Sequence, residues 1–170
     1  MSGLGAIDGA VWTFGDHVDT DVIIPVRYCG SSRLEDLGPH AMSGVDPGFA
    51  SRIAPGDVVV AGVNFGCGSS RENAPLALLG AGVGAVVARS FARIFFRNAI
   101  NVGLPIFESP EACARCLPGH GLHIDPAGGV IENRSTGESF RFSPYPPRLQ
   151  EIVACGGLEP YVRARLARGR

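Results

Sequence analysis

The sequence contains no lysine, and all fifteen of its basic residues are arginines. Chemistry that needs a lysine amine, such as Schiff-base formation or phosphate binding by a P-loop, is therefore excluded. The sixteen acidic residues leave a net charge of only −1, so neither sign is in excess for a nucleic acid or an anionic membrane surface. No apolar run approaches the roughly 18 residues needed to span a bilayer. We expect neither a nucleic-acid partner nor a membrane partner.

The cysteines lack the spacing of a disulfide framework. There are five, an odd number, and only Cys113 and Cys116 lie close together in the sequence. The first ten residues are small and glycine-rich without a basic start, which does not match a secretory signal. These features predict a cytoplasmic protein with reduced thiols. Because the close pair falls on a predicted helix, we expect it to pack there and not to bind a metal.

The composition is that of a folded protein, with 45% hydrophobic and 18% charged residues. A length of 170 residues suits one domain, and we assign residues 1–170 to it. The middle of the chain alternates strands with helices, and the predicted strands are 58–63, 83–88 and 104–107, with helices at 74–79, ended by Gly80, at 91–101 and at 110–116. This order predicts an α/β fold with a parallel βαβαβ core.

The two ends of the chain are predicted with less regular structure. Before the core we expect a strand at 11–14, an extended edge segment at 21–28 that contains Pro25, and a short helix at 34–42. After the core, the apolar period changes to two, which predicts a small antiparallel annex of strands at 122–124, 130–132 and 139–142. Helices at 148–155 and 158–166 follow.

The junction after the first core strand reads GCGSSRE, residues 66–72. Its glycines allow close backbone approach, and the N–H groups at the start of the next helix favour an anion. Arg71 adds a guanidinium that can hold a carboxylate by two parallel hydrogen bonds. Ser69 and Glu72 also have capping-box spacing, and the loop taken alone modestly favours a purely structural role, with Ser69 capping the helix, Glu72 as its reciprocal partner and Arg71 in solvent.

A second unusual segment contains Arg89, Arg93 and Arg97. Their spacing of four places them on one face if the segment is helical throughout. Such a stripe is ordinarily a solvated basic face. The alternative is that these arginines hold an anion or pair with the acidic residues of a partner.

Residues 66–72 together with residues 88–101 resemble the swivelling domain of the aconitase superfamily. The chain is most similar to the free-standing small subunits of the 3-isopropylmalate dehydratase family. Residues 16–25 (DHVDTDVIIP) resemble the opening segment of those subunits, and residues 156–163 resemble their end. The resemblance extends over nearly the whole chain and implies the β/β/α swivelling fold.

The resemblance implies a hydro-lyase that moves a hydroxyl between adjacent carbons of a 2-hydroxy di- or tricarboxylic acid. In this family a [4Fe–4S] cluster is held by a separate large subunit, so the present chain is expected to bind no metal and to act only with that partner. By position, Ser69 is the implied catalytic base, and Ser70 and Arg71 are the implied contacts to the substrate carboxylate. Gly66, Cys67 and Gly68 then form the backbone loop that stabilises the serine oxyanion.

Two positions bear on substrate and activity. Asn73 stands where the family commonly has a histidine. In the loop that selects the substrate, the matching residues are Cys29, Gly30 and Ser31, which are small and uncharged and favour an alkyl substituent. Arg33 lies close by and could instead meet an additional carboxylate.

The sequence therefore predicts the small subunit of a dehydratase that converts 2-isopropylmalate to 3-isopropylmalate through isopropylmaleate, a step of leucine biosynthesis. Two alternatives stay open at this point. One is the small subunit of homoaconitase or of another dehydratase acting on an alkylmalate or a citrate analogue. The other is a carboxylate-binding module without catalytic activity.

Overall fold

The computed structural model describes residues 3–169, and its centre is one seven-stranded sheet in the order β4-β3-β2-β1-β5-β6-β7. The strands are β1 Ile7–Thr13, β2 Val58–Ala61, β3 Ala85–Ala88, β4 Ile106–Glu108, β5 Gly121–Asp125, β6 Val130–Asn133 and β7 Glu138–Arg141. Strands β1 to β4 pair in parallel, and β5 to β7 continue the sheet in antiparallel pairing from β1. The predicted α/β class, with a parallel core and an antiparallel annex, is confirmed.

Eight helices surround this sheet within the described residues. They are α1 Thr20–Ile23, α2 Leu34–Leu37, α3 Phe49–Arg52, α4 Asn73–Ala81, α5 Arg93–Val102, α6 Pro110–Arg115, α7 Pro147–Ala154 and α8 Leu158–Arg168, and 3-10 turns lie at 26–28 and 38–40. The run β2–α4–β3–α5–β4 is the βαβαβ unit expected from the sequence. None of these helices combines the length and the apolar character that a membrane span requires.

The sheet is covered on both faces, which explains the continuous β-branched run of β2. Val59 and Ala61 belong to one buried cluster, together with residues of α4 and α5. Val58 and Val60 point to a second cluster, formed with β5 to β7 and helices α6 to α8. A strand buried on both faces needs apolar residues at every position, and not at every second one.

The segment at 21–28 differs from its prediction as an extended edge. Residues 20–23 form helix α1, because the Asp19 side chain accepts a hydrogen bond from Val22 N at 2.8 Å and so caps the helix. Ile24 returns to an extended conformation directly before Pro25, and a 3-10 turn follows. The proline therefore ends a short helix and is not part of a strand.

The capping box predicted at Ser69 is also wrong. Helix α4 begins at Asn73 with Glu72 as the N-cap residue, and no side chain caps it. Pro75 explains the late start, because a proline is tolerated only in the first helical turn, where its missing N–H has no partner to lose. The helix ends at Ala81 with Gly82 in the left-handed conformation, so it does not stop at Gly80.

The prediction that Arg89, Arg93 and Arg97 share one helical face is wrong for Arg89. Arg89 lies directly after β3, and helix α5 begins only at Arg93. Arg93 and Arg97 share a helical face, whereas Arg89 belongs to the loop at the end of the sheet.

Candidate functional site

Three loops meet at the carboxyl edge of the parallel strands. The glycine loop 66–72 follows β2 and lies between the loop after β1 and the loop after β3, bridged by Asp19 to Cys67 and by Phe65 to Phe91. Gly66 N donates to Val18 O at 2.7 Å on one side, and Ala92 N donates to Phe65 O at 3.0 Å on the other. Ligands bind at this edge in open α/β sheets because the strand ends leave a crevice there.

Gly66 is required at its position for two separate reasons. Its φ of +81° lies in the left-handed region, which favours glycine. A Cβ at this position would lie 2.1 Å from Phe95 Cγ, and Phe95 is buried. Gly68 also has a positive φ, +92°, but a Cβ there would meet only ordinary contacts, the nearest at 3.5 Å. The first glycine therefore lets the loop lie against the aromatic core.

Beyond the glycines, the loop presents its polar groups to solvent. Ser69 and Ser70 are exposed, and neither hydroxyl forms a hydrogen bond within residues 3–169. The backbone N–H groups of residues 67–72 likewise have no acceptor in the described chain. The Thr20 side chain holds the loop in place, since Thr20 Oγ1 donates to Ser69 O at 3.0 Å. Free amides next to a hydroxyl at the start of a nine-residue helix form a surface that stabilises negative charge.

Arg71 lies beside these amides and is held by an aspartate that the sequence analysis missed. Its Nη1 donates to Asp21 Oδ1, and the Arg71 side chain is 19% exposed while that of Asp21 is 64% exposed. The two residues are 50 positions apart, so only the fold brings them together. Asp21 is available to solvent and leaves the other edge of the guanidinium free to bind a carboxylate.

Comparison with known proteins agrees with this architecture. The aconitase C-terminal domain model matches residues 45–111. The 3-isopropylmalate dehydratase small subunit of Moorella thermoacetica is 54% identical over 160 residues, which are 94% of this chain and 96% of that protein. The crystal structure of a 3-isopropylmalate dehydratase from Methanocaldococcus jannaschii aligns with a TM-score of 0.92 at 40% identity, over 97% of this chain and 98% of that one.

The chain belongs to the family of 3-isopropylmalate dehydratase small subunits. The resemblance drawn from residues 66–72 and 88–101 is thereby confirmed. Another relative, the isopropylmalate/citramalate isomerase small subunit of Methanocaldococcus jannaschii, is 48% identical over 161 residues, which are 95% of this chain and 96% of that protein. As these names imply, members of the family are enzyme subunits of the hydro-lyase type and work with a large subunit.

The loop at 29–33, which the sequence resemblance predicts to select the substrate, is bound to the start of α4. Asn73, the first residue of α4, donates from Nδ2 to Ser31 O at 2.7 Å. Ser31 Oγ in turn donates to Asp36 Oδ2 at 2.7 Å, which fixes the entry to α2. Cys29 donates its thiol proton to Pro25 O at 3.7 Å, and no atom would contact a Cβ on Gly30.

Arg33 ends this loop in an exposed position. Its guanidinium donates to Glu35, and this ion pair raises the pKa of Arg33. Both side chains are more than 60% exposed, so the pair is weak and screened by solvent. The structure thus brings Ser69, Ser70, Arg71 and the backbone of Ser31 to one area, while the Arg33 charge is already engaged by a carboxylate.

The two cysteines that lie close together in the sequence, Cys113 and Cys116, are at least half-buried. Cys113 is half-buried, and the loss of solvation raises the pKa of its thiol to about 12. Burial also raises the pKa of Cys116, whose sulfur accepts a hydrogen bond from Asn133 Nδ2 at 3.7 Å. Across residues 3–169, no group of three or more His, Cys, Asp or Glu side chains could hold a metal ion. A [4Fe–4S] cluster is held by three or four cysteine thiolates, and the described residues bring no such group together, so the pair Cys113 and Cys116 does not fit one.

Proposed function

We propose that this chain is the small subunit of a heteromeric hydro-lyase that converts 2-isopropylmalate to 3-isopropylmalate through isopropylmaleate, in leucine biosynthesis in the cytoplasm. The proposal is carried by one observation, namely that the free Ser69 hydroxyl lies next to the unpaired amides of residues 67–72. Family membership supports the reaction class, and the site residues support a role of this chain in the reaction.

In the proposed mechanism Ser69 Oγ acts as the base that removes the proton adjacent to a substrate carboxylate. A serine hydroxyl is a very weak acid, so its alkoxide must be stabilised by the protein. The loop amides, the positive end of α4 and the Arg71 guanidinium provide this stabilisation without needing to reorganise during the reaction. As Ser69 Oγ takes this proton, the hydroxyl leaves the neighbouring carbon as hydroxide and isopropylmaleate forms. Ser69 Oγ holds the proton and returns it to the carbon that lost the hydroxyl while hydroxide adds to the other carbon, which restores the alkoxide.

Arg71 is proposed to bind the substrate carboxylate. The Arg71 side chain is mostly buried, and its ion pair with the more exposed Asp21 fixes the orientation of the guanidinium. A substrate carboxylate would bind the free edge of the guanidinium while Asp21 keeps its orientation. Ser70, which follows the base directly and is exposed, contributes a hydroxyl donor to the same carboxylate.

We infer that the large subunit holds the [4Fe–4S] cluster, because residues 3–169 bring no set of three or more ligating side chains together. When bound, such a cluster supplies a Lewis acid for the substrate hydroxyl and carboxylate. The residues of the present chain bind, orient and deprotonate the substrate.

The loop at 29–33 supports an uncharged alkyl substituent on the substrate. Cys29, Gly30 and Ser31 supply space and no charge, and the exposed Arg33 guanidinium already has an acidic partner in Glu35, which a substrate carboxylate would have to compete with. An alkylmalate fits this loop better than homocitrate or citrate, whose additional carboxylate would need a free cation. A relative named for both isopropylmalate and citramalate makes citramalate the second candidate, because its methyl group would occupy the same space.

The test of the base is Ser69→Ala in the complex reconstituted with the large subunit. We expect binding of the large subunit to be unchanged and turnover to fall by about 10²–10⁴-fold, the range for loss of a proton-transfer group. Ser143→Ala removes an exposed hydroxyl outside the site and should be as active as the unmodified chain. Full activity of Ser69→Ala would leave only a non-catalytic, carboxylate-binding function.

Substrate choice is tested separately by assaying the reconstituted complex with isopropylmalate, citramalate, homocitrate and citrate. We expect the largest kcat/KM for isopropylmalate. A preference for homocitrate would assign the chain to a homoaconitase instead.

A further inference from the structure

One face of helix α5 is exposed and basic. Arg93, Ile94 and Arg97 all lie on this face, and Ile94 is 49% exposed. The opposite face of the helix is buried through Phe95, Ala99 and Ile100. We call residues 93, 94 and 97 the α5 docking face.

Nothing in the described chain accounts for the two arginines. Neither guanidinium forms an ion pair or a hydrogen bond within residues 3–169, whereas Arg52, Arg71 and Arg115 each pair with an acidic side chain. Two like charges four residues apart destabilise a helix, and a cation in its first turn opposes the helix dipole. The two unpaired charges of the α5 docking face therefore destabilise helix α5 in the isolated chain.

The start of helix α5 is joined to the segment that precedes the glycine loop. Phe91 is bridged to Phe65, and Ala92, the residue before Arg93, donates its N–H to Phe65 O at 3.0 Å. The first turn of α5 is thus attached to the segment that leads into residues 66–72. A large subunit that delivers substrate to Ser69 must approach this edge of the sheet, so its surface comes close to the α5 docking face.

We propose that the α5 docking face binds an acidic segment of the large subunit, an inference that rests on the proposed function. The two guanidinium groups meet carboxylates of that segment, and Ile94 is covered by an apolar side chain between them. Paired charges of this kind accelerate association and fix the register of an interface, while the buried apolar residue slows dissociation.

The test compares the unmodified small subunit with the double variant Arg93→Glu, Arg97→Glu for binding to purified large subunit. At 50 mM NaCl we expect the Kd to rise at least tenfold, mainly through slower association, and at 300 mM NaCl we expect a smaller difference because salt screens the charges. Turnover of the variant should recover as the large-subunit concentration is raised. Arg141→Glu, which reverses an exposed unpaired arginine on β7, is the matched control and should change the Kd less than twofold.

Three outcomes would overturn the inference. An unchanged Kd for a variant that is folded by circular dichroism would show that the face is simply solvated. An unchanged Kd with a raised KM would mean that the arginines hold the substrate anion. If the unmodified subunits do not associate at all, the proposed function fails first and this interface fails with it.

Discussion

Asn73 Nδ2 donates a hydrogen bond to Ser31 O at 2.7 Å, and this contact joins the first turn of α4 to the loop at 28–33. Asn73 lies two residues after Arg71, so the segment that carries the proposed catalytic groups also holds the loop that we propose contacts the substrate substituent. The family commonly has a histidine at this position, which also carries ring N–H donors. Asn73 therefore has a positional role that does not require it to touch the substrate.

Replacement of Asn73 by alanine removes this link. One hydrogen bond contributes about 1 kcal/mol, which corresponds to roughly fivefold in an equilibrium constant. We expect the KM for isopropylmalate to rise by about that factor in the reconstituted enzyme, with a smaller change in kcat, because Ser69 and Arg71 stay in place. Steady-state kinetics with the large subunit in excess measure both constants.

Two further variants make this result specific. Asn73→His restores a donor and should recover most of the KM, whereas Asn101→Ala, at an exposed residue without a side-chain partner in the described chain, should behave like the unmodified subunit. A fall in kcat at constant KM would instead assign Asn73 a direct part in the chemistry.

Much of the fold was predictable because the core strands and helices have strong local signals. The run Val58–Ala61 is apolar at every position and is buried at every position. The predicted start of α4 at residue 74 lies one residue from the observed start at Asn73, whereas the capping-box spacing at Ser69 corresponds to no cap in the structure, because Pro75 must lie in the first helical turn. The prediction of an extended segment at 21–28 is wrong because Pro25, which is typical of a strand edge, here follows a short helix that the Asp19 side chain caps.

The site was only partly predictable because its key contacts join distant residues. Motif resemblance named Ser69, Ser70 and Arg71, and the fold adds their accessibility and their surroundings. Asp21 could be found only after folding, since 50 residues separate it from Arg71. Thr20, which supports Ser69 O from a position 49 residues away, was missed for the same reason.

The two loop glycines should differ in their tolerance of alanine. Gly66→Ala combines a left-handed φ with a Cβ 2.1 Å from the buried Phe95 ring, so we expect the free energy of unfolding to fall by about 3 kcal/mol or more. Gly68→Ala meets only the backbone cost, about 1 kcal/mol. Urea unfolding of the two variants at pH 7 measures the difference, and equal losses would mean that the loop moves away from Phe95 easily.

The stability of the fold should fall in alkaline solution. Burial raises the pKa of the Cys113 thiol to about 12, against about 8.5 in an unfolded chain, and also raises the pKa values of Cys116 and Tyr145. Above pH 8.5 the unfolded chain therefore binds fewer protons than the folded one, and the free energy of unfolding decreases as the pH rises toward 12.

Cys113→Ala removes the contribution of one of these groups. The variant should be less stable at pH 7 through lost packing, but its free energy of unfolding should decline less steeply between pH 8.5 and 10.5 than that of the unmodified chain. Urea midpoints measured across this range test the slope. Parallel declines for the two proteins would mean that folding does not raise the pKa of the Cys113 thiol.

Arg33 provides the sharpest test of the proposed substrate. Its guanidinium is paired with Glu35 in solvent, so Arg33→Ala should leave kcat/KM for isopropylmalate within about twofold, as expected for loss of an exposed ion pair. Glu35→Gln frees the guanidinium and is the matched control, because it should raise the low activity toward homocitrate if a free cation is what that substrate needs. The assays use the reconstituted enzyme and compare kcat/KM for the two acids. If Arg33→Ala selectively loses activity toward a tricarboxylic acid that the unmodified enzyme turns over well, Arg33 is a substrate contact, and the preference for an alkyl substituent is wrong.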